Sequence, residues 1–335
     1  MVATRQDNDQ MSLPERITVV GAGLMGHGIA QVFATRGHPV WLLDADHDTL
    51  NSARGRVQAN LENMARQGVI FGQSADAAAE IEAIVECIRP THDLAAACSE
   101  TDYVFEAVFE DLDVKQRLFA DLDRLAPAQA ILCSNTSVIS ITEIAHKAQR
   151  RERIVGTHFW NPPYLVPLVE VVRARESADH CLEAVYDLLA RAGKEPVHVH
   201  KDVPGFVGNR LQHALWREAF AIIDEGICDA ATVDQVVRTG FGLRLPILGP
   251  VETADMVGLD LTLAIHNYIL KHLNADPTPS TTLQARVDAG ELGFKTGSGF
   301  LEWTESEIAE SRQRLANYLV KVLVDRQEKS GKHTP

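Results

Sequence analysis

His158 and Glu170 stand twelve positions apart, and an imidazole with a carboxylate is a residue pair suited to moving a proton. Glu170 lies in Leu168-Val169-Glu170-Val171-Val172, an otherwise apolar, β-branched run that reads as a buried strand. On such a strand Leu168, Glu170 and Val172 share one face. A carboxylate there is costly unless a cation or a hydrogen-bond donor meets it. Between the two residues lies Asn161-Pro162-Pro163, a turn that would fold one strand end back beside the next and bring imidazole to carboxylate. A histidine held in this way is oriented and made more basic for proton transfer. Ser137 and Asn161 add small polar groups at other strand ends, where doubly wound sheets place their ligands. Taken singly, each residue has a plainer alternative: a strand-end histidine satisfied by backbone, a helix N-cap, a turn former.

A second constellation opens the chain. Ile17-Thr18-Val19-Val20 is a short apolar strand, and Gly21-Ala22-Gly23-Leu24-Met25-Gly26 follows at once before a helical pattern. GxGxxG is specific only in that strand-to-helix setting. Gly21 permits the tight turn, Gly23 lets a pyrophosphate approach the backbone, and Gly26 lets helix and sheet pack closely. Leu24 and Met25 complete the loop, and the helix N-terminus offers unpaired N–H groups to phosphates. Asp44 ends the second strand, at the place of a carboxylate that bonds a ribose 2′-hydroxyl. The Ala45-Asp46-His47-Asp48 that follows offers no arginine for a 2′-phosphate, so NAD rather than NADP is expected. With the His158–Glu170 pair, the loop points to a dehydrogenase.

The elements that must carry these groups alternate. Strands are expected at 17–20, 40–43, near 103–108, at 130–133, 154–159, 168–173 and 197–200, with helices to Arg36, from about Asp48 to Gln67, near 114–125 and near 179–192. This order predicts an α/β fold, a Rossmann-type, doubly wound, mainly parallel sheet. Past Lys201-Asp202-Val203-Pro204-Gly205 the pattern is helical, with an apolar stripe of Leu211, Leu215, Phe220, Ile222 and Ile223 and a helix capped by Asp229 or Thr232. The expected organisation is a disordered tail over 1–14, an NAD-binding domain over 15–202, a smaller all-α domain over 203–325 for substrate cleft and dimerisation, and a polar tail over 326–335.

The 335 residues suffice for two domains with separate cores. A formal charge of −14 argues against broad nucleic-acid binding, and no apolar stretch approaches the roughly 18 residues of a membrane span. The five cysteines are scattered without CxxC or Cys/His ligand spacing, so a reduced setting is expected and a metal site is not. The first residues lack a secretory or transit pattern, which assigns the protein to the cytoplasm. The helical stripe leads us to expect a homodimer, and a stripe that faces the domain's own core would look the same.

From residue 16 to 303 the chain resembles the L-3-hydroxyacyl-CoA dehydrogenases. The resemblance is carried by GAGLMGHGIA, by Glu110 and Lys115 in EDLDVK, by SNTS at 134–137, HFWNPP at 158–163, PLVEVV at 167–172, KDVPGFVGNR at 201–210 and GFKTGSGF at 293–300. It implies NAD-dependent oxidation of an L-3-hydroxyacyl-CoA to the 3-ketoacyl-CoA, a step of fatty acid metabolism. His158 and Glu170 would be the catalytic pair, and Ser137 and Asn209 would bind the substrate's reacting end. Asn161 would hold the site in shape, while Glu110, Lys115 and Lys295 would lie along the nicotinamide side of the cofactor.

Some positions depart from that pattern. In short-chain members the long helix after the second strand presents a serine and a lysine to the CoA portion, and Asn60 and Gln67 stand there in this chain. Arg54, Arg56 and Arg66 nearby are read either as a phosphate site or as a solvated helix face. NPPYLVPLVEVV and GFGLRLPILGPVETADMVGLD are more similar to the branch that oxidises free 3-hydroxy acids or related small alcohols. That branch includes L-gulonate 3-dehydrogenase with its lambda-crystallin relatives, carnitine dehydrogenase and a pyridine-carboxylate dehydrogenase of vitamin B6 breakdown. Arg244 in the second segment is a candidate for a free carboxylate, which a guanidinium pairs bidentately. A third reading is a non-catalytic, NAD-binding structural protein. The 6-phosphogluconate type also begins with GxGxxG but needs a catalytic lysine, and it is set aside.

Overall fold

The computed structural model describes residues 14–72 and 76–331. The expected tail before residue 14 lies outside them. Among the described residues two compact units emerge, one running to residue 209 and resumed from residue 316, the other residues 210–315.

The first unit is built on one eight-stranded sheet in the order β3-β2-β1-β4-β5-β6-β7-β8. Its elements in chain order are β1 (Ile17–Val20), α1 (Gly26–Ala34), β2 (Val40–Leu43), α2 (His47–Arg66), α3 (Ala77–Glu86), β3 (Ile88–Thr91), α4 (Leu94–Cys98), β4 (Tyr103–Glu106), α5 (Leu112–Leu125), β5 (Ile131–Ser134), α6 (Ile141–Ile144), β6 (Ile154–Phe159), β7 (Leu168–Val172), α7 (Asp179–Arg191) and β8 (Glu195–Val199). All neighbours pair in parallel except β6 and β7, which are antiparallel because the 161–163 turn sends the chain straight back.

Each strand alternates between two cores. Ile131 and Cys133 of β5 pack with the residues of α1, α2, α3 and α7, whereas Leu132 packs with α5 and α6 through Phe119, Leu122, Ile141 and Ile144. Full burial of a Leu or Phe contributes about 1.5–3 kcal/mol, so these two layers hold the sheet and fix which residues reach its C-terminal edge. α2 starts on an Asp46 cap that accepts from the Thr49 N–H, and α5 on an Asp111 cap that accepts from Val114.

Sequence reading missed β3. Its residues Ile88-Arg89-Pro90-Thr91 carry no apolar alternation, and Pro90 argues against a strand; β3 tolerates it because it is the sheet's edge. The helices α3 and α4 were not anticipated either, although Asp76 and Asp93 cap them.

After α8 (Gly208–Asp224) come α9 (Ala230–Thr239), α10 (Pro250–Val257), α11 (Leu259–Ile269), α12 (Thr281–Asp288) and α13 (Glu305–Gly331). Asp229 is the cap of α9, and Thr232 donates the N–H it accepts. Two isolated β-bridges among Gly293, Ser298 and Glu302 are the extended pairings found in this part among the described residues. The polar tail expected from 326 is instead the end of α13, which continues to Gly331. From residue 316 this helix belongs to the first unit: Val320 is 1 % exposed and packs with Met64, Val69 and Leu165, while Gln327 pairs with both the N–H and the carbonyl of Ile70.

Candidate functional site: a buried histidine–carboxylate pair and a dinucleotide loop

His158 and Glu170 are direct partners across the antiparallel β6–β7 ladder. Directly opposed residues present their side chains to the same face, and here the imidazole Nδ1 meets the carboxylate Oε2 at 2.7 Å, with both residues buried. The other carboxylate oxygen accepts from the Val207 and Gly208 N–H groups at 2.9 and 3.0 Å. Gly208 opens α8, so the carboxylate sits at the positive end of a helix. Burial by itself would raise the Glu170 pKa. The bond from His158 and those from Gly208 and Val207 outweigh it and hold the carboxyl below its ordinary value. An ionised carboxylate only accepts, so Nδ1 carries a proton, and it is the neutral form of such a ring that has its lone pair on Nε2. Phe206 and Trp160 lie against the ring, with centroids at 5.7 and 5.3 Å. An imidazole in this tautomer and packing is equipped to accept a proton at Nε2 and to be stabilised once charged.

A continuous set of contacts links this pair to Asn209, Ser137, Glu110 and Lys115. Asn209 follows Gly208 and donates from Nδ2 to the Ser137 carbonyl at 2.9 Å. The Ser137 N–H donates to Glu110 Oε1 at 2.9 Å, as does the Thr136 hydroxyl at 2.5 Å. Glu110 thereby pins the 136–138 turn after β5. Burial would raise its pKa, but Thr136, Lys115 and the backbone donors lower it. Lys115 is fully buried, its ammonium 2.6 Å from Glu106 and 3.3 Å from Glu110. Its ammonium is thus spent on the two carboxylates and does not reach the surface. Asn161 is exposed in the β6–β7 turn.

Arg244 and Lys295 lie in the second unit. Arg244 is exposed at the end of the 241–243 turn, and its carbonyl accepts from Ile247 and Leu248. Lys295 is exposed between the bridged Gly293 and Ser298.

Three participants escaped sequence reading. Glu106 ends β4, is wholly buried, and takes Lys115 on one oxygen and the Ser134 hydroxyl on the other; a glutamate in an apolar strand was the available signal, the same one that marked Glu170. Asn135 accepts the Phe159 N–H at 2.9 Å and so ties β5 to the strand end that carries His158. The N–H groups of Val207 and Gly208 are backbone, which no residue type announces.

The glycine-rich loop fits a dinucleotide. A side chain on Gly26 would come within 1.6 Å of the Gly21 carbonyl, and one on Gly21, whose φ is +100°, within 2.4 Å of the Ala107 carbonyl. At Gly23 a Cβ would meet nothing within 4 Å, so this glycine leaves open room that the fold itself does not need. That is the cradle a pyrophosphate requires. Asp44 sits at the C-terminal end of β2 and accepts from Ala22 N–H at 2.7 Å and from Asp46 N–H at 2.9 Å. Leu24 is exposed and Met25 precedes α1. Among the described residues no group of histidine, cysteine, aspartate and glutamate could hold a metal ion, and no helix is long and apolar enough to cross a membrane.

Fold and loop together define a dinucleotide-binding protein of the dehydrogenase type. Residues 16–203 match the NAD binding domain of 3-hydroxyacyl-CoA dehydrogenase and residues 205–303 match its C-terminal domain. The chain belongs to the 3-hydroxyacyl-CoA dehydrogenase family. It is 36% identical over 294 residues to the mitochondrial hydroxyacyl-coenzyme A dehydrogenase of Mus musculus, covering 87% of this chain and 92% of that one. It is 30% identical over 306 residues to the 5-formyl-3-hydroxy-2-methylpyridine 4-carboxylate 5-dehydrogenase of Mesorhizobium japonicum, covering 91% and 96%. A solved structure of an enzyme of the latter name superposes with a TM-score of 0.85 at 28% identity, over 93% of this chain and 99% of that one. The 3-hydroxybutyryl-CoA dehydrogenase of Escherichia coli K12 superposes with a TM-score of 0.72 at 34% identity, over 87% and 60%.

Proposed function

We propose that the protein oxidises the secondary alcohol of an L-3-hydroxyacyl compound to the ketone, with His158 as general base and Glu170 as its support. The observation that carries this reading is the 2.7 Å contact between the two buried side chains. NAD, when bound, accepts the hydride. Nε2 of His158 takes the hydroxyl proton, and Glu170 stabilises the imidazolium that results. Ser137 and Asn209, joined to each other and through Gly208 to Glu170, hold the oxygen that becomes the carbonyl. A purely structural role fits poorly, because nothing in the packing of β7 calls for a carboxylate, and an apolar residue would cost less there.

The substrate is either a CoA thioester or a free hydroxy acid. Sequence identity to the mitochondrial hydroxyacyl-coenzyme A dehydrogenases supports the thioester. The structure of α2 supports the free acid. Asn60 is engaged with Gln31 and with the Tyr164 hydroxyl, Gln67 with Asn63, and the end of α13 packs on Met64 and Val69 beside them. Where short-chain members present groups to CoA, this chain has used its polar atoms internally. The high structural similarity to the pyridine-carboxylate enzyme points the same way.

NADH formation with L-3-hydroxybutyryl-CoA, free 3-hydroxybutyrate, L-gulonate and L-carnitine separates the readings. A thioester preference of several orders of magnitude in kcat/KM establishes the first, and comparable or better use of a free acid the second. Failure with every 3-hydroxy compound refutes both.

The protein acts as a homodimer. Among the described residues α9–α12 bury none, and Ile247, Val251, Leu259 and Leu263 are 80, 75, 63 and 62 % exposed. So large an apolar surface is a partner surface, and sedimentation showing only monomer at micromolar concentration contradicts it. All five cysteines are free thiols, which supports a reducing, cytoplasmic setting.

A further inference from the structure

We infer that Arg56, in the third turn of α2, is a positioning residue for the cofactor's diphosphate. Its guanidinium lies behind the glycine-rich loop. Nη2 donates to the Ala22 carbonyl at 2.7 Å and to the Thr49 carbonyl at 2.9 Å, and Nη1 donates to the Gly23 carbonyl at 3.4 Å. The sequence offered two readings of this arginine, a carrier phosphate or a solvated helix face, and the geometry supports neither.

A loop that turns its N–H groups toward an anion must turn its carbonyls the other way, and those carbonyls need donors. Arg56 supplies them from one planar fork that also grips the first turn of α2. His27 shares the task. Its Nδ1 lies 2.7 Å from the Gly23 carbonyl, which only accepts, so Nδ1 carries the proton. The Arg56 Nη1, 3.1 Å from that same nitrogen, is thus a neighbour and not a bonded partner.

Charge gives the arrangement a second role. Arg56 is partly buried, and its Nε has no partner among the described residues. Burial lowers its pKa and the Asp44 carboxylate opposes this. A diphosphate seated on the other side of the loop adds negative charge to a cation that is short of it, so affinity for the phosphates rises and affinity for the nucleoside alone does not. Arg54 and Arg66, by contrast, line a separate cleft between α2 and α3 with Gln58 and Glu82.

The test is NADH binding to the full-length protein, followed by fluorescence without substrate, so that it stands apart from the choice of alcohol. Arg56→Gln is expected to weaken NADH by about tenfold, the equivalent of one lost interaction, and ADP-ribose by a similar factor. Adenosine, measured by competition, is expected to shift by less than about twofold. Arg56→Lys restores part of the loss, because it returns the charge without the fork. Unchanged NADH affinity in Arg56→Gln overturns the inference, and so does an equal loss for adenosine and ADP-ribose, which marks general disorder of the loop. Should the glutamine variant not fold, Arg56→Lys decides alone: weaker ADP-ribose with adenosine retained supports the role, and wild-type affinity for both removes it.

Discussion

Glu170 joins His158 across the β6–β7 ladder with one carboxylate oxygen and the start of α8 with the other. The carboxylate thus orients the imidazole from a support that is itself fixed by backbone, and neither contact relies on an exposed, mobile group. A base built in this way loses little entropy when it acts.

Replacement of the imidazole tests the chemistry most directly. His158→Gln is expected to lower kcat by about 10²–10⁴-fold, the usual worth of general acid–base catalysis, with NAD affinity nearly unchanged. Steady-state kinetics beside NADH titration measure both, and wild-type turnover in the variant removes His158 from the mechanism.

The depressed pKa of Glu170 has a consequence for stability. The folded value lies below the ordinary 4.5, so its contribution is complete above that pH and is lost as pH falls toward the folded pKa. Glu170→Gln has no such titration. Melting temperatures of the two proteins are therefore expected to differ most near neutral pH and to converge below about pH 4.5; a gap that stays constant through the acid range contradicts the assignment.

The three loop glycines are expected to separate into two kinds. Gly21→Ala and Gly26→Ala force a Cβ onto a backbone carbonyl and should lower the melting temperature of the ligand-free protein. Gly23→Ala meets no protein atom and should leave melting unchanged while weakening NADH. Calorimetry with and without NADH distinguishes them, and a destabilised Gly23→Ala would mean that its open space serves the fold.

Lys194 stands just before β8 and donates from Nζ to the Pro163 and Val166 carbonyls, so it braces the segment between β6 and β7. Burial, with Arg326 adding to it, brings its pKa down to about 7 from the ordinary 10.5. Between those values the unfolded chain binds the proton and the folded one does not, so stability rises with pH across that window. Lys194→Met does not titrate there. Denaturant midpoints are expected to shift in favour of the wild type as pH is raised from 7 toward 10, and parallel midpoints would show that the lysine stays charged when buried.

The alternation of strands and helices, the GxGxxG turn between β1 and α1, and a carboxylate in an apolar strand can all be read from the residues alone. These are legible because turn chemistry and side-chain periodicity are local. Position 170 could be suspected for a reason of cost alone, since an unpaired carboxylate there would destabilise β7. What met that cost was decided only by tertiary structure. The register that opposes residues 158 and 170, the backbone donors at 207 and 208, and the bonds by which Glu106 and Glu110 take the Ser134 and Thr136 hydroxyls join separate elements of the fold. Pro90 hid an edge strand for a related reason, because whether a missing N–H matters depends on the neighbour, and the neighbour is set by topology. Arg56 and the end of α13 belong with these: a charged residue on a helix and a polar C-terminal segment look solvent-facing until the fold supplies carbonyls for one and a bed of Met64, Val69 and Leu165 for the other. Local rules state what a residue can do; only the packed chain supplies the partner that makes it do so.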